Sequence, residues 1–212
     1  MNRIVLIGSK EFAQQIRTAV ERDNDSIVVG YLDDNVEVGT IVEGLPVMGK
    51  LSDAGILYEK DLFDNLFVAA GYTNFGFRDK AFSTWQGLIP YANIIDKTAI
   101  IDPSVRIGEG VYIGPEAIID TGTIIGNNVF IHGKTQLGHD NVIGSHTYFS
   151  GRIDTAGFCT IGERNFIGIR VLFADHISTC DDAWIGLGCI VAKNITAPGK
   201  YMTNAAKLYK IE

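Results

Sequence analysis

The chain carries four histidines, His132, His139, His146 and His176, all in its second half. An imidazole ionises near neutral pH, so each is a potential proton carrier. His139 is followed directly by Asp140. Such a pair serves either as a general base with an orienting carboxylate or as a solvated turn. The histidine spacings of 7, 7 and 30 residues do not bring ligands together locally, and no metal site is expected. Cys159, Cys180 and Cys189 are odd in number and lack CxxC spacing, so they read as reduced structural thiols. No serine or cysteine sits in a recognisable nucleophile motif.

The elements that must position these groups follow from a repeat. From Ile95 onward every sixth residue is bulky and apolar, through Ile101, Ile107, Ile113, Ile119, Ile125, Ile131 and Leu137 to Ile185 and Val191. Only Thr155 and Thr179 break the rule. Small residues follow the aliphatic, as at Gly108, Gly114, Gly126 and Gly138. A period near 3.6 would mark a helix; a period of six marks a solenoid of short strands with a corner after each. Three faces make a coil of eighteen residues, and the aliphatics of successive coils stack inward. His139, two residues beyond inward Leu137, falls at a coil corner. His146 and His176 occupy outward positions, where exposed histidines are expected, and His176 lies two coils beyond Asp140.

Residues 3–90 lack the period. Arg3–Gly8, Ser26–Leu32 and Asp64–Gly71 read as strands, while Glu11–Glu21 and a stretch near 76–86 read as helices. This alternation predicts a small Rossmann-like parallel sheet. Ligands of such sheets sit at the carboxyl ends of the strands, which would gather Gly8, Asp33, Asp34, Gly71 and Asn74. After Gly8 come Ser9 and Lys10, so a dinucleotide-binding G-x-G-x-x-G is absent. The expected fold class is thus α/β plus all-β, with domains over 1–90 and 91–197 and a C-terminal tail over 198–212.

Composition sets outer limits. The 212-residue chain is 46% hydrophobic, which places it among globular proteins. Its net charge of −7 argues against general nucleic-acid binding. No apolar run reaches the ~18 residues of a membrane span, and the first residues do not form a signal peptide. A cytoplasmic protein is expected.

The two-part order resembles that of hexapeptide-repeat sugar acyltransferases of the bacillosamine-acetyltransferase (PglD) and sialic-acid (NeuD) type. The likeness rests on Gly30-Tyr31-Leu32-Asp33-Asp34-Asn35, on Leu45-Pro46-Val47-Met48-Gly49, on Val68-Ala69-Ala70-Gly71, and on Gly138-His139-Asp140-Asn141-Val142-Ile143-Gly144. It covers nearly the whole chain. The resemblance implies a left-handed β-helix and a homotrimer with active sites in the grooves between helices. It implies transfer of an acetyl group from acetyl-CoA to the amino group of a nucleotide-linked amino sugar, without metal. The same scaffold acting on a sugar hydroxyl, or serving as a non-catalytic binding scaffold, are the alternatives.

For individual residues, the resemblance implies His139 as general base and Asp140 as its partner, with direct transfer. The first domain would hold the nucleotide; Asp33 and Asp34 suit hydrogen bonds to a base or ribose, or equally an ordinary turn. His132 stands where the family often has asparagine, and is assigned to substrate binding. Tyr148 stands where many relatives have a histidine near the acyl group. Tyr148, the small Ala156-Gly157 step one coil after His139, and Lys207 in Asn204-Ala205-Ala206-Lys207 are assigned to the coenzyme. A backbone N–H near Gly157 is the expected oxyanion donor.

Overall fold

The structure, a computed structural model, describes residues 1–22, 25–71 and 74–203. It opens on β1 (Asn2–Ile7), whose Ile4-Val5-Leu6-Ile7 run is buried on both faces, as a central strand requires. α1 (Glu11–Glu21) buries Ala13, Ile16 and Val20. β2 (Ser26–Leu32), β3 (Ile41–Val42), β4 (Leu45–Gly49), α2 (Ala54–Glu59), β5 (Asn65–Val68) and α3 (Phe75–Trp85) complete this part. The Asn74 side chain caps α3 by accepting from the Phe77 N–H at 3.0 Å.

The sheet order is β3-β4-β2-β1-β5. β1, β2, β4 and β5 run parallel, but β3 pairs antiparallel with β4. The sheet is therefore mixed rather than wholly parallel. The cause is local: Glu43 and Gly44 both adopt positive φ (47° and 82°), the geometry of a tight hairpin, so the chain returns antiparallel instead of crossing over. The third expected strand is also shorter, ending at Val68, because the chain leaves the sheet to pass over Gly8.

From Ile94 the chain winds into a three-sided parallel β-helix of short strands. Strands of successive coils pair at an offset of eighteen residues, as in Phe130↔Tyr148 and Ile131↔Phe149, until the last pairing, Ala183↔Gly199, shortens it to sixteen. Ile119, Ile125, Ile131, Leu137, Ile143 and Phe149 fill the interior. Ile95 belongs to this inward series but is 37% exposed, because it lies in the terminal coil with none before it.

The two threonines that interrupt the series have a physical reason. Buried Asn141 donates through Nδ2 to Thr155 Oγ1 at 2.6 Å and accepts from the Cys159 N–H at 2.6 Å. Asn165 repeats the arrangement with Thr179 Oγ1 and the Ala183 N–H. A buried carboxamide needs partners, and a hydroxyl at the inward position supplies one.

Three faces are distinct outside. On one, Tyr112, Phe130, Tyr148, Phe166 and Trp184 stack as a ladder, with neighbouring centroids 3.9–5.9 Å apart. α1 and the sheet pack on this face, with Phe12 against Phe130 at 4.9 Å. A second face, with strands including Ile118–Ile119, Gln136–Leu137 and Asp154–Thr155, leaves Ile100, Ile118, Leu172 and Ile190 exposed. The third carries Ile124–Ile125, Val142–Ile143 and Thr160–Ile161.

Candidate functional site

His139 sits at the corner between the second and third faces, opposite the face that the sheet covers. The buried Asn141 clamp fixes this corner, since its Nδ2 also donates to the Gly138 carbonyl at 2.8 Å. Asp140 takes the left-handed conformation that closes the turn (φ 55°), and its Oδ2 lies 2.9 Å from His139 Nδ1. With Nδ1 occupied by the carboxylate, the tautomer leaves Nε2 bare as the proton acceptor. The hydrogen bond to Asp140, reinforced by Asp120 and Asp175, raises the imidazole pKa above its ordinary 6.5. That makes it a stronger base while it remains half-exposed to an incoming substrate.

The next coil shapes the space around the ring. A Cβ on Gly157 would lie 2.6 Å from both His139 Cε1 and Nε2. The imidazole thus rests over the Gly157 backbone, and only glycine leaves room for it there. The Gly157 N–H has no acceptor among the described residues. Ala156, by contrast, donates its N–H to the Phe173 carbonyl and belongs to the coil ladder. Phe158 meets the imidazole at right angles, with centroids 4.9 Å apart. His176 stacks on Phe158 at 4.7 Å, which puts it on the same corner as expected from its spacing.

A second site lies in the first part of the chain. A cavity of about 420 Å³ at the carboxyl ends of β1, β2 and β5 is lined by Gly8, Asp33, Asp34, Gly71 and Asn74, all five residues expected there. Asp33 is buried and accepts from the Ser9 N–H (3.0 Å), the Ser9 hydroxyl (2.7 Å) and the Asn35 N–H (2.9 Å). Asp34 Oδ1 accepts from the Leu51 N–H at 2.8 Å. Both aspartates therefore shape the rim of the cavity as well as line it. Lys10, the sole cation among the lining residues, stands at the N-terminus of α1, where backbone N–H groups favour an anion. No motif marks Lys10 in the sequence, where it only breaks a glycine pattern.

His132 and Tyr148 pair with each other and not with His139. His132 Nε2 lies 2.6 Å from the Tyr148 hydroxyl, on the covered face, and burial lowers the imidazole pKa to about 4. Tyr148 is buried within the aromatic ladder. Within one chain neither reaches the His139 corner.

His146, expected to be exposed, is buried instead. Its Nδ1 lies 3.0 Å from Asn128 Nδ2, and its Nε2 lies 3.5 Å from Asp79. The outward position it occupies is roofed by α3. Beside it the fully buried Arg78 donates to the carbonyls of Ala70 (2.9 Å) and Asn128 (3.0 Å), and desolvation lowers its pKa to about 10. Arg78 thereby ties the cavity wall at Ala70 to the coil. Lys207, with Asn204, Ala205 and Ala206, lies outside the described residues. Among the described residues no group of three or more His, Cys, Asp or Glu is placed to hold a metal ion. No helix among them is long and apolar enough to cross a membrane.

Comparison with known proteins places the fold. No family model matches the chain, and no curated protein matches it. Solved structures do. A perosamine N-acetyltransferase variant from Caulobacter crescentus, in complex with CoA and GDP-perosamine, superposes with a TM-score of 0.85 at 23% identity, covering 100% of this chain and 98% of that one. The acetyltransferase domain of PglB from Neisseria gonorrhoeae gives 0.82 at 21% identity, covering 98% and 99%. WeeI from Acinetobacter baumannii gives 0.68 at 19% identity, covering 98% and 99%. Over its whole length the chain has the fold of these three structures.

Proposed function

We propose that the protein is an acetyl-CoA-dependent N-acetyltransferase acting on the amino group of a nucleotide-linked amino sugar. The observation that carries this reading is His139, with its pKa raised by Asp140, lying over a glycine whose N–H is unpaired. The full-length likeness to acetyltransferases solved with CoA, acetyl-CoA and GDP-perosamine supports the same chemistry.

The reaction follows from these groups. The sugar amine attacks the thioester carbonyl, and a C–N bond forms. His139 Nε2 takes the proton that the amine gives up. The tetrahedral oxyanion is held by the Gly157 N–H. The C–S bond then breaks, and the imidazolium returns the proton to the departing thiolate, leaving free CoA and the N-acetyl sugar. Transfer is direct.

The nucleotide occupies the cavity around Gly8, Asp33, Asp34, Gly71 and Asn74, with its phosphates toward Lys10 and the start of α1. Because the His139 corner is opposite the covered face, the cavity and the base of one chain serve different substrate molecules. A complete site takes its base from a neighbouring copy. The exposed Ile100, Ile118, Leu172 and Ile190 of the second face supply an apolar seam for such a neighbour, and a homotrimer of left-handed helices satisfies this arrangement. His132 and Tyr148, paired with each other on the covered face, line neither the cavity nor the His139 corner, and the Ala156-Gly157 step lines the path of the pantetheine arm. Domains over 1–90 and 91–197, and a cytoplasmic location, complete the proposal.

The test is a panel of nucleotide-linked amino sugars incubated with acetyl-CoA, scored by release of free CoA and by product mass. An amide product stable to mild base supports the proposal. A base-labile ester would move the reading to a hydroxyl acceptor, and no turnover of any sugar would overturn it.

A further inference from the structure

Among the described residues, non-glycine positions with positive φ are occupied by Asp, Asn, Glu, Lys, Arg and His, with one exception. The exception is Phe158, at φ 57°. A bulky side chain is disfavoured in this region, and the side chain here is 48% exposed, so neither backbone preference nor burial accounts for the residue. Strain of this kind persists where it serves a site. Phe158 lies one coil beyond Asp140, and its ring is sandwiched at the corner that holds His139. On one side His176 stacks parallel, with an interplanar angle of 4°. On the other the His139 imidazole stands perpendicular, at 88°.

We infer that Phe158 is a positioning residue for His139, holding the imidazole plane so that Nδ1 keeps Asp140 while Nε2 stays over Gly157, with His176 bracing the phenyl ring from behind. The inference rests on the acetyltransferase reading for its kinetic consequences, but not for its geometry. The His139 side chain is half-exposed, and one hydrogen bond at Nδ1 does not fix rotation about the axis that points at the carboxylate. Two further constraints are needed. The Gly157 backbone supplies a floor, and the edge-to-face contact with Phe158 supplies a wall. No other side chain has a ring contact with His139 among the described residues.

The test uses Phe158→Asn, Phe158→Tyr and the wild type. Asparagine relieves the left-handed strain, so its melting temperature should equal or exceed that of the wild type while the wall is lost. If the wild type turns over a nucleotide amino sugar, Phe158→Asn is expected to lower kcat about tenfold or more with both KM values held within about twofold. Phe158→Tyr should restore the rate. The substrate-free reading is by NMR: the NOE between His139 Hε1 and Gly157 Hα is present in the wild type, lost in Phe158→Asn and regained in Phe158→Tyr. If the wild type turns over no sugar, the acetyltransferase reading fails, and the NOE alone decides the inference. An unchanged NOE or unchanged kcat in Phe158→Asn overturns it. So does a loss of activity that parallels a lower oligomeric mass by light scattering, which would make Phe158 a subunit contact.

Discussion

The imidazole of His139 rests on the backbone of Gly157, eighteen residues ahead, so closely that a Cβ there would lie 2.6 Å from its Nε2. The same glycine that admits the base also presents an N–H with no acceptor among the described residues. In the proposed mechanism the base and the oxyanion donor are therefore set by one contact between successive coils. In Gly157→Ala the ring must swing outward. The expected outcome is a fall in kcat of about a hundredfold. The melting temperature should change little, because the ring is the free end of an exposed side chain. CoA release and a thermal scan check the two halves separately.

The pH dependence follows from the Asp140 contact. A base works only when neutral, so activity is lost as pH falls through its pKa, and that pKa is raised above 6.5 chiefly by the hydrogen bond to Asp140. The acid limb of kcat/KM, which reports the free enzyme, should therefore lie above 6.5 in the wild type. Asp140→Asn should move the limb to lower pH and reduce the plateau rate. A full pH–rate profile of both proteins measures this.

Lys10 is the sole cation among the residues lining the cavity at the ends of β1, β2 and β5, where the proposal places the nucleotide. Lys10→Ala should raise KM for the nucleotide sugar about tenfold, an effect that shrinks at high salt, while kcat and KM for acetyl-CoA hold. A rise in the acetyl-CoA KM instead would place the coenzyme in that cavity.

Thr155 departs from the apolar hexad, yet restoring the pattern should harm the protein. Thr155→Ile removes one of the two acceptors of Asn141 Nδ2 inside the coil, leaving the Gly138 carbonyl. The expected loss is about 1–3 kcal/mol in urea unfolding, against the direction that hydrophobicity alone would give.

Acid should destabilise the fold through its two buried histidines. His132, lowered to about 4, and His146, also lowered, are neutral when folded but protonated in the unfolded chain below 6.5. Stability should therefore be full above pH 6.5 and fall as pH drops toward 4, by up to about 3 kcal/mol for His132. The depressed carboxylate Asp64, near 2, contributes its loss only below that window. Urea midpoints across pH 7.5 to 4 test this, and His132→Asn should flatten the slope.

Much of the architecture was legible because one period controls it. The six-residue series placed the coils, the corner of His139 and the shared corner of His176. It did not separate the three faces by what covers them, and so it left His146 outside when α3 in fact roofs it. A longer stride carries that information: every eighteenth residue from 94 reads Ile, Tyr, Phe, Tyr, Phe, Trp, the ladder that seats the first part of the chain. Tyr148 belongs to that stride, which is why its hydroxyl meets His132 rather than His139. The strand ends around Gly8, Asp33 and Gly71 were legible from strand–helix alternation. The antiparallel β3 was not, since it depends on two left-handed residues in a stretch with little apolar pattern. Arg78 was not legible either, because a buried arginine held by the Ala70 and Asn128 carbonyls leaves no mark in spacing.

The central claim is that His139 moves the proton in acetyl transfer. Its most direct test is the steady-state release of CoA by wild type and His139→Ala, side by side, with acetyl-CoA and a nucleotide-linked amino sugar that the wild type accepts. The expected result is a loss in kcat of about a hundredfold or more, with little change in either KM and an unchanged fold. A variant that retains the wild-type kcat would contradict it.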